Sequence, residues 1–230
     1  MPLDSIEILE KQRGNQYIEV DKTTRLDWEA LREKVKTQGM RNSNTMAIAP
    51  TATIANITGL TQSIEPTYSN LFVKSNLSGE FTVINMHLVD ALKEIDMWDE
   101  VMVYDLKNLN GSLESIARVP EDIKKLFATS FEVEPKWLIE AASRRQKWID
   151  QSQSLNLYVS EPNGKKLDVM YRMAWLRGLK TTYYLRSRSA TTTEKSTITN
   201  MELNAVKTEP KTYDQPEACS IDDPDCEACQ

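Results

Sequence analysis

No cysteine occurs before position 219. Cys219, Cys226 and Cys229 are the only three, so no disulfide can staple the body of the chain, and any cysteine chemistry is confined to its C-terminal end. Histidine is nearly absent too, with His87 alone, so a four-ligand structural metal site would have to gather residues far apart in sequence. A basic surplus is also lacking: 28 Lys and Arg stand against 34 Asp and Glu, a formal net charge of -6 and a pI near 5.1. That balance disfavours broad electrostatic attraction to nucleic acid. No apolar run approaches the ~20 residues of a membrane span. Met1-Pro2-Leu3-Asp4 has neither the basic nor the apolar region of a secretory leader, and a cytoplasmic location is expected.

What remains is ample for a core, since 230 residues with 40% hydrophobic content suit one globular domain with room for a subdomain. Residues 1–23 are polar and weakly patterned, and read as a lead-in. Trp28, Leu31 and Val35 then recur at helical spacing and Gly39 supplies a stop. Met46-Ala47-Ile48-Ala49 is an apolar run ended by Pro50, which predicts a buried strand running into a loop rich in Thr, Ala, Asn and Gly. Phe72-Val73, Phe81 and Val83-Ile84 suggest short extended pieces, and residues 85–151 read as mostly helical, with Pro120 and Pro135 at first turns and Gly111 at a stop. Residues 154–159 predict a strand, Glu161-Pro162-Asn163-Gly164 a turn, Leu167 to Trp175 an amphipathic helix closed near Gly178, and residues 181–185 a second strand. That order is a crossover of the kind that builds parallel α/β sheets and barrels. Residues 190–225 carry Thr, Glu, Asp, Lys, Asn and Pro with isolated apolar residues, the composition of a disordered tail.

Three constellations carry chemistry. The first is Pro50-Thr51-Ala52-Thr53-Ile54-Ala55-Asn56, small and hydroxylated, ahead of a helix. Free backbone N–H groups, two hydroxyls and a positive helix end suit a phosphate, although an unliganded cap explains the same residues. The second is Tyr183-Tyr184 in a predicted strand, where consecutive side chains point to opposite faces and tyrosines are ordinarily packing aromatics. The third is Cys226-Glu227-Ala228-Cys229 at the end of the tail. Such a pair closes a disulfide readily and exchanges it with partners, and a coil from residue 189 to 226 reaches on the order of 35 Å. Asp222, Asp223, Asp225 and Glu227 should raise the thiol pKa values, which suits an electron relay better than a fast nucleophile. A C-x-x-C is also half of a zinc knuckle, but Cys219 and His87 are poor candidates to complete it.

Six words, two of which contain the loop and the tyrosine pair, have to be read together with the cysteines: Arg41-Asn42-Ser43-Asn44, Pro50-Thr51-Ala52-Thr53, Ser63-Ile64-Glu65-Pro66, Leu77-Ser78-Gly79-Glu80-Phe81, Asp150-Gln151-Ser152-Gln153-Ser154-Leu155-Asn156 and Gly178-Leu179-Lys180-Thr181-Thr182-Tyr183-Tyr184. In that order the chain resembles the large (alpha) subunits of class I ribonucleoside-diphosphate reductases, over residues 24–189 and again at the terminal cysteines. The likeness is to the C-terminal portion of bacterial members that end in Cys-Glu-Ala-Cys-Gln. It implies a mixed α/β fold: the C-terminal part of a ten-stranded α/β barrel with a helical subdomain over residues 24–189, followed by a redox tail over 190–230.

The resemblance also implies roles. Thr51, Ala52, Thr53 and Ile54 fall on the loop that holds the diphosphate of a ribonucleoside diphosphate, with Ile54 contributing only its backbone N–H. Tyr183 and Tyr184 fall on the radical-transfer pair, and Cys226 and Cys229 on the tail pair that reduces the active-site disulfide and is reduced in turn by thioredoxin or glutaredoxin. The helix around Leu167 to Trp175 is similar to the one that helps bind the C-terminal peptide of the radical-generating small (beta) subunit. No cofactor is expected on this segment itself. The oxidant belongs to the metal or radical cofactor of the small subunit, and the allosteric nucleotide sites, the radical cysteine and the substrate-reducing cysteines belong to the N-terminal part of the large subunit. Alone, the chain is expected to be inert. The alternatives are a non-catalytic interaction or redox-relay module that keeps the fold, and a small zinc-binding adaptor resting on the tail cysteines.

Overall fold

A computed structural model describes residues 1–76 and 79–188; Cys219, Cys226 and Cys229 lie outside the described residues. The architecture is mixed α/β. One part is helical and is built on a hairpin. β1 (Leu71–Asn76) pairs antiparallel with β2 (Gly79–Ile84), in register from Leu71 opposite Ile84 to Asn76 opposite Gly79. α4 (Met86–Glu94), α5 (Glu100–Asn108) and α6 (Glu121–Leu126) follow. Leu71, Leu88, Leu92, Met102, Leu106, Leu113 and Ile116 close into one apolar core. Asn85 and Asp99 cap α4 and α5 by accepting from the N–H of His87 and Met102. Gly111 (φ 77°) is required at its turn: a Cβ there would lie 2.6 Å from the backbone nitrogens of Asn70 and Leu71.

The second part carries the parallel strands. α7 (Pro135–Gln146) begins with proline in its first turn, where no N–H is needed. β3 (Leu157–Val159), α8 (Gly164–Leu176) and β4 (Leu185–Ser187) form a parallel crossover, β3 pairing with β4 from Leu157 opposite Leu185 to Val159 opposite Ser187. Asn163 caps α8, and Gly178 (φ 70°) turns the chain out of it. Leu138, Ile139, Ala142, Leu155, Leu157, Tyr158, Met170, Ala174 and Leu179 form the core beneath.

Four expectations need correction. Residues 1–23 are not a bare lead-in: α1 (Asp4–Arg13) buries Ile6 and Leu9, Ile18 joins them, and Leu3 N–H donates to Lys147 O while Glu19 N–H donates to Leu176 O. Three apolar residues among ten, of which Ile8 faces out and only Ile6 and Leu9 are buried, make a weak periodic signal, so the sequence hid a docked helix. α2 (Trp28–Gln38) forms where its spacing put it, capped by Asp27, yet buries none of its residues. The run Met46 to Ala49 is not a buried strand. Met46 is 53% exposed and only Ile48 makes a parallel bridge, to Gln153, because among the described residues this segment has a ladder partner on one side only. The parallel strands are shorter than predicted, β3 covering only Leu157–Val159, and residues 181–184 precede β4 without joining it.

Candidate functional site

The parallel strands and the segments leading into them gather the motif words. Asp150 accepts from Thr45 N–H (2.7 Å), the Thr45 hydroxyl (3.0 Å) and Met46 N–H (3.0 Å), and these bonds hold its carboxyl below the usual range. Gln151 N–H donates to Met46 O and Ser154 N–H to Ile48 O. On the other side Lys180 Nζ donates to Asp150 O (2.6 Å), the Thr181 hydroxyl to Gln153 O (3.2 Å) and Tyr183 N–H to Leu155 O (2.8 Å). Residues 150–157 are thus the central segment between the approach to the Thr-rich loop and the approach to the tyrosine pair.

The loop leaves this sheet at Pro50 and enters α3 (Ile54–Thr58). Thr51 adopts φ 49°, a left-handed conformation uncommon for a β-branched residue. Its hydroxyl oxygen accepts from Ser63 N–H (3.0 Å) and its carbonyl from Ala55 N–H (3.0 Å). Thr53 occupies the N-cap of α3, but its hydroxyl caps no N–H there. Thr51, Ala52, Thr53 and Ile54 are all exposed, as are Ile57 and Leu60 beyond them. The arrangement therefore presents two hydroxyls and a helix start outward, whereas a plain cap would turn the Thr53 hydroxyl back onto its own helix.

Tyr183 and Tyr184 do not point to opposite faces. Their ring centroids are 4.2 Å apart with planes at 50°, because both precede β4 and the backbone there is not in regular strand conformation. Each is about half exposed, and the Arg186 guanidinium lies 5.3 Å above the Tyr184 ring. A hydrogen bond with Tyr184, and then its charge, push the Tyr183 phenol above its ordinary value. That shift favours the protonated form of Tyr183.

Beside the loop sits a buried carboxylate to which the motif reading gave no separate role. Glu65, 7% exposed, accepts from Asn156 N–H (3.2 Å) and Asn156 Nδ2 (3.0 Å), and from the Ser63 hydroxyl. Ser63-Ile64-Glu65-Pro66 and Asn156 both fall in the motif words, and their pairing across 91 residues is what sequence spacing does not display.

A family model described as ribonucleotide reductase, barrel domain, matches residues 5–185. The chain belongs to the ribonucleotide reductase barrel-domain family. It is 52% identical to the ribonucleoside-diphosphate reductase subunit alpha of Chlamydia trachomatis over the whole chain, and 59% identical to that of Chlamydia muridarum over 86% of it. These matches cover 23% and 19% of the two relatives, so the chain spans about a fifth of their length. Among solved structures, the Actinobacillus ureae class Id ribonucleotide reductase alpha subunit matches 69% of this chain and 29% of that one, at 32% identity and a TM-score of 0.59. The ribonucleotide reductase match begins within α1, in keeping with a packed N-terminal helix. Among the described residues the parallel pairing consists of β3 with β4 and the isolated bridge from Ile48 to Gln153.

Proposed function

We propose that this chain is a C-terminal part of the large subunit of a ribonucleoside-diphosphate reductase, supplying the substrate phosphate loop, the radical-transfer tyrosines and the disulfide-relay cysteines. The reaction converts a ribonucleoside diphosphate and a dithiol into a deoxyribonucleoside diphosphate, a disulfide and water. The observation that carries the reading is the common anchoring of the Thr51–Ser63 loop and the paired Tyr183 and Tyr184 rings on residues 150–157 of one parallel sheet.

Each part has a physical task. Thr51 and Thr53 donate hydroxyl protons to anionic phosphate oxygens, and Ala52 and Ile54 offer backbone N–H groups. Tyr183 and Tyr184 pass an electron with its proton in two short steps, each phenol releasing its proton as it is oxidised. Cys226 and Cys229 return the active-site disulfide to the dithiol and are reduced by thioredoxin or glutaredoxin. The oxidising equivalent comes from a separate small subunit holding the metal or radical cofactor. The exposed side of α8, where Tyr17, Tyr171 and Trp175 border a groove of about 570 Å³, offers that subunit's terminal peptide an aromatic surface. The remaining barrel, with the radical cysteine and the allosteric nucleotide sites, comes from the N-terminal part of the large subunit. Ile54, Ile57 and Leu60, each more than 60% exposed, are apolar surface for it to cover. Among the described residues no helix is long and apolar enough to cross a membrane, and we place the assembled enzyme in the cytoplasm.

The test is reconstitution with the N-terminal part of the large subunit and a radical-generating small subunit, followed by Tyr183→Phe and Tyr184→Phe. Each substitution keeps the ring and removes the redox-active hydroxyl. Turnover should be abolished while the fold and small-subunit binding persist. Appreciable turnover by either variant, with the small subunit bound, would return the pair to an ordinary packing role.

A further inference from the structure

We infer that Glu65 is a positioning residue that holds the phosphate loop and the radical-transfer tyrosines in one register, acting through Ser63 on one side and Asn156 on the other. This rests on the function proposed above and deepens it.

On the loop side, two residues other than glycine adopt left-handed backbone conformations, Thr51 at φ 49° and Ser63 at φ 70°, and they are joined by the bond from Ser63 N–H to the Thr51 hydroxyl oxygen. Conformations of that kind persist only where the surroundings over-determine them. The surroundings here are the Glu65 carboxylate: the Ser63 hydroxyl donates to Oε2, and Asn156 Nδ2 donates both to Ser63 Oγ (3.1 Å) and to Oε2 (3.0 Å). Accepting from Ser63 fixes one lone pair of the Thr51 hydroxyl and leaves its proton to donate, which is what an anionic ligand requires.

On the tyrosine side, Oε1 of the same carboxylate accepts from Asn156 N–H (3.2 Å). The adjoining residues carry the ladder bonds that place the pair, from Tyr183 N–H to Leu155 O and from Leu157 N–H to Tyr184 O, both 2.8 Å. One buried carboxylate therefore fixes residue 156 between the two contacts that set Tyr183 and Tyr184. Among the described residues no cation forms an ion pair with Glu65. A buried carboxyl whose hydrogen bonds come from Ser63 and Asn156 depends on their geometry, so it enforces that geometry in return.

The test uses the reconstituted enzyme and Glu65→Gln, which keeps size and one acceptor but turns its NH2, a donor, toward one of the two donors, Asn156 Nδ2 or Asn156 N–H. Substrate KM should rise roughly tenfold, and kcat should fall separately as radical transfer slows. Thr51→Val should make the KM effects non-additive, since Glu65 acts on substrate through Thr51. Glu65→Asp, one methylene shorter, should fail to restore either parameter. Ser63→Ala, which keeps the N–H bond to Thr51 and loses only the hydroxyl bridge, should raise KM in the same direction by less; it decides the matter if Glu65→Gln does not fold. Unchanged KM and kcat in Glu65→Gln, strict additivity with Thr51→Val, or an unaltered KM in Ser63→Ala where Glu65→Gln does not fold, would overturn the inference. A wild-type reconstitution without turnover, or active Tyr183→Phe enzyme, would overturn the functional reading instead.

Discussion

Thr51 and Thr53 divide the work of the loop in different ways. The Thr51 hydroxyl is already held by Ser63 N–H, whereas the Thr53 hydroxyl caps no N–H of α3 and stays exposed. A hydroxyl donating to a charged oxygen is worth about 1.5–3 kcal/mol. In the reconstituted enzyme, Thr53→Val keeps the branched shape, so its cost falls on the ligand. Substrate KM should rise roughly tenfold, the equivalent of ~1.4 kcal/mol. An unchanged KM in steady-state assays would take Thr53 out of the phosphate site. The identities of these residues were legible in the sequence. The support of Glu65 and Asn156 was not, because two polar residues 91 positions apart give no periodic or spacing signal until the fold brings them together.

Helices were the most legible elements, for local reasons. Asp27, Asn85, Asp99 and Asn163 all stand where a cap residue was needed, and Pro135 opens α7. The strands were less so: residues 46–49 and 181–184 owe their conformation to bonds from residues 150–157, not to their own alternation. The cap of α5 gives a clear test. Asp99 accepts from Met102 N–H and pairs in a fork with Arg118 (2.6 and 2.7 Å), and Arg118 and that N–H lower its pKa from 3.8 to about 2. A depressed carboxylate adds stability above its unfolded value of 3.8 and loses it as pH falls through about 2. Asp99→Asn keeps a cap of similar strength but cannot titrate. Melting temperature followed by circular dichroism should therefore differ between wild type and variant at neutral pH and converge as pH drops toward about 2. A constant offset across that range would show that the Arg118 pair contributes nothing. Being partly exposed, the pair is a small contributor, so the shape of the curve is the readout.

On the scale of the whole molecule, the described residues contain the loop and the tyrosines but none of the three cysteines, so the relay is the part of the proposal most in need of its own test. A relay disulfide has to be reduced by an external protein, while a small dithiol reaches a partly open active site directly. From the sequence alone, carboxylates at positions 222, 223, 225 and 227 are expected to disfavour the thiolates of Cys226 and Cys229, which would favour exchange with a partner that supplies its own reactive thiolate. Cys226→Ser with Cys229→Ser in the reconstituted enzyme should therefore stop repeated turnover driven by thioredoxin or glutaredoxin. The first turnover of prereduced enzyme should survive, as should much of the activity supported by dithiothreitol. Cys219→Ser should change little, since Cys219 lies outside the C-x-x-C. If the double variant loses its fold together with a bound zinc ion, the tail is a metal site; if thioredoxin still drives full turnover, electrons reach the active site without it.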